Sequence, residues 1–85
     1  MASYSVFIKP SAVKELENLP LKLRRVIARK IQSLAVDPRP RESRKLSGAE
    51  LYRIRQGDFR VLYDVQDKAR VVVIIKIGNR RDVYR

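Results

Sequence analysis

From Leu51 to Tyr63 the chain alternates at the two-residue period of a β-strand on both sides of Gly57-Asp58, which predicts a hairpin. On the first arm Tyr52 and Ile54 point one way, while Arg53 and Arg55 point the other. On the second arm Phe59, Val61 and Tyr63 share a face, with Arg60, Leu62 and Asp64 opposite them. If the aromatic and aliphatic positions meet a core, Arg53, Arg55 and Arg60 gather on the open face. Guanidiniums on neighbouring strands repel one another, which costs stability unless an anion is expected there. Such an arrangement suits phosphate.

The remaining pattern supplies the partners of this hairpin. Tyr4 to Lys9 alternates loosely and predicts a short first strand, which Pro10 ends. With Ser11 as N-cap, Val13, Leu16 and Leu19 recur at helical spacing, and Glu15 and Glu17 lie in the first turns, where the helix dipole favours negative charge. Pro20 closes this helix or opens the next, with Asn18 or Leu19 as the cap. Leu23, Val26, Ile27, Ile31 and Leu34 then form an apolar stripe at the 3.6-residue period, backed by Lys22, Arg24, Arg25, Arg29 and Lys30. Asp37-Pro38-Arg39-Pro40 stops that helix, and a loop carrying Arg39, Arg41, Arg44 and Lys45 runs to Glu50. After a turn at Asp67-Lys68-Ala69, residues 70–77 are apolar on both faces and predict a central strand, broken at Gly78. The order predicts a single α+β domain over residues 1–85. Its two N-terminal helices pack on one face of a roughly four-stranded, mainly antiparallel twisted sheet.

Composition narrows the chemistry. Twenty Lys and Arg against nine Asp and Glu give a net charge of +11 in 85 residues. So basic a chain favours a polyanionic partner, nucleic acid first and an acidic protein second. The basic face of the second helix is either solvated or a further contact, and the helical pair could be docked by another protein's helix. With no histidine and no cysteine there is no imidazole base, no thiol nucleophile and no zinc site of the usual kind. The nine acids form no paired metal-binding motif, so no metal or other cofactor is expected and a two-metal nuclease is disfavoured. Lack of cysteine suits a reducing cytoplasm. No run approaches the ~18 apolar residues of a membrane span, and the N-terminus does not resemble a signal peptide.

Four motifs in order, Lys45-Leu46-Ser47-Gly48, Leu51-Tyr52-Arg53-Ile54-Arg55, Gly57-Asp58-Phe59-Arg60-Val61-Leu62-Tyr63 and Ile77-Gly78-Asn79-Arg80-Arg81-Asp82-Val83-Tyr84, resemble the RelE toxins. These belong to the RelE/ParE superfamily of toxin–antitoxin modules. The resemblance spans nearly the whole chain and implies the RelE-like microbial RNase fold. It also implies a metal-independent, ribosome-dependent endoribonuclease (an mRNA interferase) that cuts mRNA in the A site of the 30S subunit and so inhibits translation. In such enzymes the RNA's own 2′-hydroxyl is the nucleophile, leaving a 2′,3′-cyclic phosphate and a 5′-hydroxyl. The family's two basic residues after the Lys-Leu-x-Gly turn fall on Arg53 and Arg55, where lysines are common in relatives. Its next-strand arginine falls on Arg60, its C-terminal arginine on Arg80 in preference to Arg81, and its terminal tyrosine on Tyr84. That tyrosine stacks on a codon base in the family and is a candidate for proton transfer. The resemblance further implies a RelB-like antitoxin, with operator DNA bound only through the antitoxin of the complex.

In-line attack needs an acceptor for the 2′ proton, stabilisation of the charge developing on phosphorus, and a proton for the leaving 5′ oxygen. Arginine stays charged, so it clamps phosphate well and transfers protons poorly. On this basis Arg60 and Arg80 hold the scissile phosphate, Arg53 adds to its stabilisation, and Arg55 or Tyr84 assists the 2′-hydroxyl. Arg44, Lys45 and Arg81 are expected to contact RNA. The alternative is a ParE-like toxin that binds DNA gyrase without nuclease activity, which shares the fold. A basic nucleic-acid-binding module without chemistry is the third.

Overall fold

The computed structural model describes residues 3–46 and 51–79. Along them run β1 (Ser5–Ile8), α1 (Pro10–Glu17), α2 (Leu21–Ser33), β2 (Arg44–Lys45), β3 (Leu51–Gln56), β4 (Phe59–Gln66) and β5 (Val71–Asn79). The strands form one sheet in the order β1-β5-β4-β3-β2. All neighbours are antiparallel except β1, which runs parallel to β5. The expected α+β architecture holds, with a fifth strand: β2 lies in the segment expected to be loop, and two residues pairing with β3 are enough to make it.

The central hairpin follows its pattern. Six rungs join β3 to β4, from Leu51 opposite Asp64 to Gln56 opposite Phe59. Gly57 has φ +58° at the first central position of the two-residue turn, where an L side chain is disfavoured. Tyr52, Ile54, Val61, Tyr63 and Val65 are buried on one face. Ala12 of α1 and Ile27 and Ile31 of α2, with Leu34 just beyond it, complete that core with Val72, Ile74 and Ile77 of β5. Of the stripe its spacing predicts, Leu23, Ile27, Ile31 and Leu34 meet this core.

The ends of the helices depart from expectation. Pro10 follows the end of β1 as expected but is itself the first residue of α1, and Lys9, not Ser11, holds the N-cap position without a side-chain hydrogen bond. Proline suits that place, because its fixed φ is helical and its missing N–H would have had no partner. No acid lies in the first turn of α1. Glu15 instead reaches the sheet, where its Oε1 accepts a hydrogen bond from the Ile77 amide at 2.9 Å. This amide lies beyond the last β1 rung, at Ile74, so the carboxylate does there what a further strand would do. Pro20 is the N-cap of α2.

β5 sits between β1 and β4, as its doubly apolar run predicts, but it continues through Gly78, which pairs with Arg60. The β4–β5 ladder also slips once. Leu62 pairs with Lys76 and Tyr63 with Ile74, so Ile75 is an extra residue. Strict alternation would put Lys76 on the same face as Val72 and Ile74. The bulge instead carries Ile77 into the core, 1% exposed, and turns Lys76 to the opposite side.

Candidate nucleic-acid interface

The sheet register decides where the basic residues go. Directly opposed residues of an antiparallel pair share a face. Arg55 is opposite Arg60, Arg53 is opposite Leu62, and Arg44 of β2 is opposite Arg53. Since Tyr52, Ile54, Val61 and Tyr63 face the helices, Arg44, Arg53, Arg55 and Arg60 all lie on the helix-free face. Lys76 joins them, two rungs from the Arg60–Gly78 pair. The alternation of the hairpin foretold the three central arginines. Arg44 was legible as basic but not as part of the same sheet. Lys76 was not legible at all, because a run apolar on both faces gives no phase from which to aim it.

These cations differ in exposure. Arg60 is 9% exposed, Arg53 is half-buried, and Arg55 and Arg44 are exposed. Arg44, Arg53 and Arg55 line an open groove of about 270 Å³ together with Glu42. The Arg44 guanidinium also donates to the carbonyls of Arg41 and Ser43, at 3.4 and 3.1 Å, which holds it against the turn carrying Glu42. Lys45 is opposite Tyr52, so the register sets it on the other face from Arg44. Arg80, Arg81 and Tyr84, together with Ser47 and Gly48 of the turn motif, lie outside the described residues.

Arg39, close by in sequence, has a different task. Its guanidinium makes two hydrogen bonds to Asp67, at 2.8 and 3.1 Å, and its Nε donates to the Tyr52 hydroxyl at 2.9 Å. The guanidinium also lies 5.1 Å from the centre of the Tyr52 ring, which stacks on Tyr63 with centroids 5.8 Å apart. Tyr63 in turn donates to the Pro38 carbonyl at 2.8 Å, and Tyr4 donates to Asp67 at 2.7 Å. The Arg39 bonds, helped by the Tyr4 hydroxyl, hold the Asp67 carboxyl down at about 2. Burial pushes the Tyr63 phenol up to about 12. This corner ties the segment after α2 to the start of the chain and to the β4–β5 turn. Nothing in it is arranged for a ligand.

A helix-backed sheet with arginines in register on its other face has known counterparts. The sequence model of the family described as ParE toxin of type II toxin-antitoxin system, parDE, matches residues 6–84. The chain belongs to the RelE/ParE superfamily of type II toxins. A protein of Methanocaldococcus jannaschii that carries the name RelE1 is 34% identical over 86 residues, which is 96% of each chain. Among solved structures, the archaeal RelE–RelB complex from Pyrococcus horikoshii OT3 contains a chain that superposes with a TM-score of 0.84. It is 37% identical, over 95% of this chain and 99% of that one. An arginine-to-alanine double mutant of Escherichia coli RelE in the free state superposes with a TM-score of 0.81 at 26% identity, over 96% of this chain and 88% of that one. The protein is therefore a RelE-type toxin. Among its described residues no helix is long and apolar enough to cross a membrane.

Proposed function

We propose that this toxin is an endoribonuclease that cuts mRNA in the ribosomal A site and thereby stops translation, acting in the cytoplasm. The observation that carries the reading is the register pairing of Arg55 with Arg60, flanked by Arg53 and Arg44, on the helix-free face. Like charges directly opposed on a sheet are unfavourable for folding alone. They become favourable when a phosphodiester lies across them, because each guanidinium can donate to its oxygens.

In the proposed reaction the 2′ oxygen attacks the adjacent phosphorus in line and the bond to the 5′ oxygen breaks. The products are a 2′,3′-cyclic phosphate and a 5′-hydroxyl. Arg60, with its guanidinium largely withdrawn from water, holds the scissile phosphate with Arg80. In such a position a preorganised cation stabilises developing charge more than it would in bulk solvent. Arg53 supports the same phosphate, and Arg55 orients the 2′-hydroxyl. Tyr84 stacks on a codon base. Arg44 binds the RNA backbone, and Arg81 is assigned the same role, whereas Lys45, on the other face of the sheet, is left out of this surface. By analogy with the solved RelE–RelB complexes, the restraining partner is a RelB-like antitoxin. Operator DNA is then bound only through the antitoxin.

The test is primer extension on an mRNA translated in a purified system, with the wild type and with Arg60→Ala. Codon-phased cuts that need ribosomes, and that fall by about 100-fold or more in the variant, are expected. The match to the family model named for ParE favours a second reading, a gyrase-binding toxin without nuclease activity. An absence of cuts, together with inhibition of gyrase supercoiling, would establish that reading instead.

A further inference from the structure

Among the described residues Glu42 is the one acid lining a groove otherwise lined by Arg44, Arg53 and Arg55. It stands in the turn before β2, and Lys30 of α2 is ion-paired with its Oε2. A carboxylate has about four lone-pair sites, so one ammonium does not exhaust it as an acceptor. Lys30 of α2 is its ion-pair partner, and the groove's other described lining residues are Arg44 of β2 and Arg53 and Arg55 of β3. All are cations, which draw RNA phosphate into the groove but are poor acceptors for a 2′-hydroxyl proton. Cleavage by a 2′ oxygen needs such an acceptor. Among the described lining residues the carboxylate is the group that can serve.

We infer that Glu42 is the proton acceptor of the RNA-cleaving step, held in place by Lys30. The inference rests on the ribonuclease reading above and assigns a role that reading leaves open. In the step, the 2′ oxygen forms its bond to phosphorus and its proton passes to the Glu42 carboxylate. The bond from phosphorus to the 5′ oxygen breaks, and that oxygen takes a proton from solvent water. The hydroxide left behind then takes the proton from Glu42, which restores the carboxylate. Arg53 and Arg55 hold the ribose and phosphate while this happens, and Lys30 is a positioning residue.

The experiment is single-turnover cleavage of mRNA on programmed ribosomes by Glu42→Gln, measured as a function of pH. Glutamine keeps the size of the side chain and an oxygen for Lys30 but does not take up the proton. The wild type is expected to slow toward acid pH as the acceptor becomes protonated. Glu42→Gln should be slower by about 100-fold or more and should lack that acid limb, with unchanged melting temperature and ribosome affinity. Glu42→Asp should recover part of the rate and the limb, and Glu17→Gln, at the exposed end of α1, should cut like the wild type. A Glu42→Gln protein that cuts at the wild-type rate would overturn the inference and leave the ribonuclease reading standing. So would one that is slower but keeps the wild-type pH profile, or equal loss in Glu42→Asp. A wild type that does not cut mRNA would remove the reading and the inference together.

Discussion

Arg39 and Arg60 are the same residue in different company. Arg39 meets a carboxylate and a phenol, and the result is a staple between segments far apart in sequence. Arg60 meets another arginine across its rung, with a second basic pair, Arg44 and Arg53, nearby. A cation given an anion and an aromatic acceptor serves the fold. Cations brought into register with one another are, in the function proposed above, held for something that arrives from outside. Net charge alone cannot tell the two apart, because both add to the +11.

The largest effect is expected from an acid placed directly against Arg60. Arg55→Glu would set a carboxylate directly opposite Arg60. Cleavage on the ribosome should fall by about 100-fold or more. The melting temperature should hold or rise, since a cross-strand opposite-charge pair replaces a like-charge one. A melting temperature lower by several degrees would show that the face is part of the folding design after all.

Removing the staple should do the reverse. Arg39→Ala loses the bond to Tyr52 and the fork on Asp67. The net loss should be about 1 kcal/mol, since most of these atoms are near solvent. For a domain of this size that lowers the melting temperature by roughly 4 to 8 °C. Calorimetry checks the stability, and the cleavage assay run well below the melting point should show wild-type activity.

A smaller effect separates the two regions by pH. Asp67 titrates at about 2 in the folded protein against 3.8 when unperturbed. Between those values the unfolded chain binds the extra proton, so stability rises with pH across that window. The contribution of Asp67 is therefore complete above about pH 4 and is lost as pH falls toward about 2. Urea melts of Asp67→Asn should lack this part of the acid dependence. Arg60→Ala should keep it.

How much of this was visible beforehand depends on where the information sits. The hairpin was legible because alternation, Gly57 and the flanking aromatics all agree, and α2 because its stripe has a helical period. β2 was not, because Arg44-Lys45 carries no apolar pattern and becomes a strand only by pairing with Arg53 and Tyr52. Of the candidate site, Arg53, Arg55 and Arg60 followed from alternation alone. Glu42 looked like one scattered acid among nine, because its place in the groove depends on a turn and on Lys30, both tertiary. Arg39 was indistinguishable from Arg41 or Arg44 for the same reason.

The extra residue at Ile75 makes the length of β5 a determinant of where its charge lies. Before it, even-numbered positions belong to the core, and after it odd-numbered ones do. The bulge is thus itself a spatial frameshift, and deleting Ile75 would undo it without moving a side chain to the other face. Ile74, Lys76 and Ile77 would then follow one another directly opposite Tyr63, Leu62 and Val61, the partners they already have.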